Sequence, residues 1–309
     1  MLRVIGFNAG LIVVALLAAE AVFGTWLFGP SFGSLNLPHN VERRFAIGDM
    51  NRLEWNVIYT RDRFGLRGRY DNPASIGILA LGGSTTNELY VTDGETWTDR
   101  LAQKFAAAGI PLSVVNAGAE GQSTVGHLRN FDAWFPLIPG LKPRYVLAYI
   151  GVNDMALGLD GAESTQDKFD RMRSPEWDRR LRHAIRNNSV FYRLWRTWRG
   201  VGKARSAQVV HARIDRAGSR WVEADVPFAD PAPGSDLARR LAGYRTRIEA
   251  LIARIRAHDA RAIIVTQQKS HWRRENGKLL FAADENGKPN TAGYAETMLF
   301  NRAALAACR

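Results

Sequence analysis

The sequence predicts an α/β fold, a doubly wound parallel sheet preceded by one N-terminal transmembrane helix. Three observations carry that prediction. From Ile76 onward, short apolar runs recur and each ends abruptly in glycine, serine or asparagine, as buried parallel strands do. Stretches with helical spacing separate these runs, and strands alternating with helices argue for a parallel sheet. Finally, Val4 to Phe28 is apolar apart from Asn8, Glu20 and Thr25.

That first stretch is long enough to cross a bilayer, whose hydrocarbon core is about 30 Å thick, at a helical rise of about 1.5 Å per residue. Arg3 precedes it and no Lys or Arg follows until Arg43. The positive-inside rule then keeps the amino terminus cytoplasmic and exports the remainder. Ala19-Glu20-Ala21 also has the small-x-small pattern of a signal-peptide cleavage site, but Val22 to Phe28 continues the apolar run, which suits an anchor better. The expected layout is an anchor or uncleaved signal at 1–30, a linker and lead-in segment at 31–73, and an enzyme-like domain at 74–309. The body would be extracytoplasmic, on the periplasmic side of an inner membrane if the cell is Gram-negative.

Within 31–73, Trp55 to Thr60 reads as a short strand and Asp62 to Gly68 as a turn. The run Ile76 to Leu81 is the first strand of the sheet, and Gly82-Gly83-Ser84-Thr85-Thr86 follows at once. Trp97 to Ala107 is a helix with Thr96 as N-cap and Gly109 beyond its end. Leu112 to Asn116 is the second strand. Ser123 to Phe135 is a helix capped by Ser123, and Tyr145 to Ile150 is the third strand. A basic insertion occupies about 155–235, with helices near Trp177 to Arg186 and Val190 to Arg199. Asp236 to His258 is a long amphipathic helix, Ala262 to Thr266 a fourth strand and Gly293 to Cys308 a final helix.

The net charge of +12 raises nucleic acid or anionic membrane as partners. Its distribution weakens the first: residues 171–220 hold 14 Arg and Lys against three acids, and the rest is nearly neutral. One insertion is basic, on a chain expected to be exported, so no nucleic acid is expected. Its Trp and Arg residues (Trp177, Trp195, Trp198, Arg193, Arg196, Arg199) fit three arrangements: a surface resting on anionic lipid, a rim gripping an acidic glycan, or a helical hairpin packing its tryptophans inward. The one cysteine, Cys308, excludes an intrachain disulfide and a cysteine metal cluster.

Three strand ends carry the chemistry. Leu81 to Thr86 (L-G-G-S-T-T), Asn116 to Gly121 (N-A-G-A-E-G) and Gly151 to Asp154 (G-V-N-D) would share one edge of a parallel sheet, where open α/β folds hold their ligands. A serine, a glycine turn and an asparagine together suit acyl transfer, which needs a hydroxyl nucleophile and N–H donors for an oxyanion. In order and spacing the three blocks resemble the SGNH (GDSL-like) hydrolase family, in a variant with Gly-Gly-Ser where others have Gly-Asp-Ser.

The resemblance covers about residue 74 to the end, apart from the insertion. It implies a five-stranded sheet of order 2-1-3-4-5. It further implies Ser84 as nucleophile and first oxyanion donor, Gly121 as second donor and Asn153 as third. No cofactor or metal is implied, and Asp154 reads as a cap. The implied reaction is ester hydrolysis through an acyl-serine, with acylated carbohydrate of the cell envelope as the expected substrate. Acyl transfer to sugar, or an inactive glycan-binding or scaffold protein, are the alternatives. The oligomeric state is not legible.

One departure stands out. The family's Asp-x-x-His block, which supplies the base, has no counterpart at His39, His127, His183, His211, His258 or His271. His271 follows the fourth strand on the right edge and is the candidate pocket wall or substitute base; His127 reads as a satisfied structural histidine. Only four strands are legible. The expectation is therefore that the sequence stops before strand five and the Asp-His pair, leaving strand four with an unpaired edge and the fragment inactive.

Overall fold

A computed structural model describes residues 2–27, 32, 35, 37–46, 56–157 and 218–309, together with 177, 181, 184, 185, 188–192, 194, 195, 198 and 199. Trp55, His183, Arg193, Arg196 and His211 lie outside the described residues. The chain divides into two compact units, Met1–Asn36 with Gln166–Ala212, and Leu37–Thr165 with Arg213–Arg309.

In the first unit, α1 (Leu2–Phe23) is one unbroken helix. Its span from Arg3 to Phe23 has a mean hydropathy of 2.1 with none of it buried, so it is long and apolar enough to cross a membrane. Described residues at 177–185 and 190–199 are helical, as the sequence predicts, and Asn188 is helical as well.

The second unit opens with β1 (Val41–Ala46) and β2 (Asn56–Arg61), an antiparallel pair. Asp62 then accepts the N–H groups of Phe64 and Leu66, both at 2.8 Å, and Gly65 turns the chain at φ 72°. β3 (Ile78–Gly82) follows, then α2 (Ser84–Asn87) and α3 (Trp97–Ala107). Thr96 caps α3 reciprocally with Asp99. β4 (Val114–Asn116), α4 (Thr124–Ala133), β5 (Tyr145–Tyr149) and α5 (Val152–Met155) continue the alternation. After the insertion come β6 (Trp221–Glu223), α6 (Asp236–Ala257), β7 (Arg261–Val265), β8 (Trp272–Glu275), β9 (Lys278–Ala282) and α7 (Tyr294–Ala307).

The central sheet has the order β4-β3-β5-β7, and every pair in it is parallel. That is the predicted 2-1-3-4. All five residues of β3 are buried, which explains why its sequence is a continuous apolar run and not an alternation. Ile78, Val114 and Leu147 pack against Trp97, Leu101 and Phe105 of α3. Ile248, Leu251 and Ile255 of α6 are also fully shielded.

Several expectations are corrected. The second strand begins at Val114, because Leu112 instead packs over the bare face of Gly77. The helix expected to reach Phe135 ends at Ala133, and a 3-10 turn takes over at Phe135–Leu137, where Pro136 disfavours the helical conformation of the residue before it. Ser123 occupies the N-cap position of α4 but makes no side-chain cap bond; Asp154 accepts the Thr124 N–H instead, at 3.0 Å. The three-stranded sheet β6-β9-β8 was not foreseen. Its β8–β9 turn is Asn276-Gly277 with φ 49° and 79°, the two-residue hairpin signal that the sequence spells out.

His127 is the plainest correction. It is fully buried in α4, but both ring nitrogens lack a hydrogen-bond partner among the described residues. Burial pushes its pKa down to about 3 from the usual 6.5, so it stays neutral when folded. Because the unfolded chain binds a proton below about pH 6.5 and the folded one does not, this residue's contribution is present above that pH and lost as pH falls. Between pH 7.5 and pH 5 the loss is about 2 kcal/mol. Urea unfolding of wild type and His127→Leu at both pH values is expected to give a stability difference that shifts by that amount; an unchanged difference would refute the buried neutral imidazole.

Candidate active site

The site is built where β3, β4, β5 and β7 end on a common edge. β3 stops at Gly82, Gly83 takes the N-cap position, and Ser84 opens the single turn of α2. The Gly83 carbonyl accepts from Thr86 and Asn87 at 3.0 and 2.9 Å, and the Ser84 carbonyl accepts from Glu88 at 2.8 Å. Glu88 closes the turn with φ 47°. As the first residue of a helix, Ser84 has an N–H that the helix cannot satisfy internally. Its side chain is half-buried, and its hydroxyl has no side-chain hydrogen bond among the described residues.

The loop after β4 is held against this turn. The buried Asn116 amide donates to the Thr86 carbonyl, and its oxygen accepts the Gly118 N–H at 2.9 Å. A Cβ on Gly118 would collide with the Asn87 nitrogen, so only glycine lets the loop approach α2 this closely. Arg61, itself buried, bridges both sides by donating to the Asn87 side chain and the Gly118 carbonyl. Gly121 is exposed at φ 66°, with open space where a side chain would stand.

The loop after β5 completes the edge. Asn153 donates its amide to the Gln122 carbonyl at 2.8 Å. A Cβ on Gly83 would run into the same Nδ2. The Asn153 amide therefore occupies the space beside the Ser84 turn that a larger residue at 83 would claim. Ser84, the Gly121–Gln122 turn and Asn153 are thus brought together.

His271 is not part of this cluster. Its Nε2 lies 2.9 Å from the Ala292 carbonyl, and its ring meets Trp272 edge-on. His39 and His258 point their Nδ1 atoms at the carbonyls of Leu37 and Arg254. No described histidine hydrogen-bonds Ser84.

Gln267, just past β7, is a residue that sequence reasoning missed. Buried, it donates to the Thr85 hydroxyl at 2.9 Å while its Oε1 accepts the Val152 N–H at 2.5 Å. It ties the residue after Ser84 to the residue before Asn153. Its backbone is clamped in turn by Asn301 of α7. The signal is its place at a strand's carboxyl end, in the segment after the fourth strand that also holds His271.

Asp154 is buried with Arg247 at 3.2 Å and also accepts the Thr124 hydroxyl. Burial pushes its carboxyl above the usual range, while Thr124 and Arg247 work in the opposite direction. Among the described residues no group of three or more His, Cys, Asp or Glu is placed to hold a metal. An open depression of about 560 Å³, walled by Phe228, Arg240, Gly293 and Glu296, contains none of the three predicted site residues.

Comparisons with known proteins give the family. The profile of the GDSL-like lipase/acylhydrolase family matches residues 80–309. Solved structures that match the chain include AlinE4, an SGNH-hydrolase family esterase, at 16% identity over 75% of this chain and 96% of that one, with a TM-score of 0.30. A psychrotrophic esterase, EstA from Pseudoalteromonas sp., is 16% identical over the same shares, with a TM-score of 0.31. No curated protein matches the chain. The family profile carries the assignment, and the structural likenesses add nothing about substrate.

Proposed function

The chain belongs to the GDSL-like lipase/acylhydrolase family, and from that premise we propose that its ester hydrolysis runs through an acyl-Ser84 intermediate. The Ser84 oxygen attacks the acyl carbonyl, its proton passes to a base, and the alcohol leaves after taking up a proton. Water then releases the acyl group as a carboxylic acid and restores Ser84. The Ser84 N–H, the Gly121 N–H and the Asn153 amide are the oxyanion donors in this reading. The observation that carries it is the Asn153 amide wedged between Gly83 and the Gln122 carbonyl, because one amide N–H is used there and the other is left for substrate.

Acylated carbohydrate of the cell envelope is the proposed substrate, with α1 as a membrane anchor and the catalytic unit on the extracytoplasmic (periplasmic) side. The span of α1, with Arg3 before it and no Lys or Arg after it until Arg43, supports that placement. Transfer of the acyl group to sugar uses the same intermediate with a sugar hydroxyl in place of water.

A second reading, an inactive glycan-binding or scaffold protein, is favoured by one observation: no described histidine hydrogen-bonds Ser84. A serine hydroxyl without a base is a weak nucleophile. The test uses p-nitrophenyl acetate with and without added imidazole as an external base. Imidazole is expected to accelerate turnover by the wild type beyond its reaction in solution, and Ser84→Ala is expected to abolish that excess. Equal rates for the two proteins at every imidazole concentration would sink the acyl-serine reading and leave the binding protein.

A further inference from the structure

The insertion's exposed apolar residues form a surface that the catalytic reading does not use. In the unit made of Met1–Asn36 and Gln166–Ala212, the end of α1 is bonded to residues 188–191. The Glu20 carboxylate accepts the Ser189 hydroxyl and the N–H groups of Val190 and Phe191, the latter two at 3.1 and 3.4 Å. It also accepts the Trp26 indole N–H at 2.9 Å. Beyond α1, the Thr25 N–H and hydroxyl donate to the Asn188 carbonyl and side-chain oxygen at 3.0 and 2.8 Å. A carboxylate inside an apolar span is costly unless it is paired, and here it receives four donors. Glu20 stands three residues before the end of α1, about 5 Å along the helix axis. Residues 188–191 therefore sit at the level of that end of the span.

From there the described residues to 199 are helical, and Phe191, Leu194, Trp195 and Trp198 recur at i, i+3, i+4 and i+7. That spacing makes one stripe, which a globular protein would bury. All four are exposed, Leu194 by 61% and Trp198 by 77%. Trp177, Leu181 and Ile185, spaced by four, are exposed as well. This contradicts the hairpin that packs its tryptophans inward. Arg199 lies over the Trp195 ring, 5.3 Å from its centroid, in the most basic stretch of the chain.

We infer that the described helical residues between 177 and 199 form an interfacial amphipathic surface that lies on an anionic phospholipid leaflet, with the apolar stripes in the headgroup–acyl boundary and Arg199 at the phosphates. Continuity with the end of a membrane span, the tryptophan content and the positive charge all select lipid as the occupant. The inference rests on the proposed anchoring by α1.

The full chain, with Cys308→Ser removing the one cysteine, is labelled with the fluorophore NBD at single cysteines replacing Leu194 or Trp198. Leu17→Cys on α1 reports the span, and the exposed Glu285→Cys is the aqueous reference. Each is placed in nanodiscs of phosphatidylcholine and phosphatidylglycerol, with or without phosphatidylcholine doxylated at carbon 5. Labels at 17, 194 and 198 are expected to be quenched by doxyl lipid roughly threefold or more beyond the label at 285, and to be shielded from iodide. Quenching at 17 with iodide access at 194 and 198 would overturn the inference and leave the anchor intact. No lipid quenching at 17 would overturn the anchor itself. Labels at 194 and 198 shielded from both quenchers would mean that protein covers the stripe, which also overturns the inference.

Discussion

Asp154→Ala is expected to lower the unfolding free energy by about 3–5 kcal/mol, the usual cost of leaving a buried charge without its partner. Arg247 and Asp154 are both almost fully shielded, with side-chain exposures of 4% and 1%. Asp154 is also the acceptor for both the N–H and the hydroxyl of Thr124, and Arg247 Nε donates to that hydroxyl at 2.8 Å. One carboxylate thus joins the start of α4, the turn of α5 and the middle of α6. Removing it strands a guanidinium and uncaps α4 in one step. Urea unfolding of the single variant and of Asp154→Ala/Arg247→Met checks this. The double variant is expected to recover part of the loss, because no unpaired charge remains. A single-variant cost below about 1 kcal/mol would show that the pair carries little stability.

Gly83→Ala is expected to lower Ser84-dependent turnover by about 10²–10³-fold, the cost of losing one oxyanion donor, while KM changes little. The added methyl collides with the far end of a side chain, the Asn153 Nδ2, so the amide moves and gives up its bond to Gln122. The backbone at Gly83 has φ −86° and ψ −145°, so an effect on the amide has to be told apart from an effect on the local fold. Kinetics of p-nitrophenyl acetate hydrolysis with imidazole present, beside a thermal melt, separate the two. Wild-type turnover with an intact fold would remove Asn153 from the oxyanion site. The same geometry accounts for Gly-Gly-Ser at this position: the second glycine leaves the room that the Asn153 amide fills.

Much of this was legible in the residues. Ile78–Gly82, Tyr145–Tyr149 and Arg261–Val265 were readable as strands because buried parallel strands leave short apolar runs. Three glycine- or asparagine-bearing strand ends then had to meet, since parallel strands put all their carboxyl ends on one edge. Thr96 announced its helix because a cap bond reaches only three residues along the chain. The Asn276-Gly277 hairpin was equally local and was passed over.

What the sequence by itself determined is the local part: the apolar span of α1, the alternation of strands and helices, and the chemistry carried to the sheet edge. Tertiary structure alone decided the partners. Asp154 finds Arg247 across 93 positions and Gln267 finds Thr85 across 182. His127 ends with neither ring nitrogen bonded among the described residues, and the stripe of Phe191 to Trp198 ends outside and not in a core. Backbone periodicity depends on neighbours within a few residues, whereas side-chain partners exist only once the chain has closed those distances.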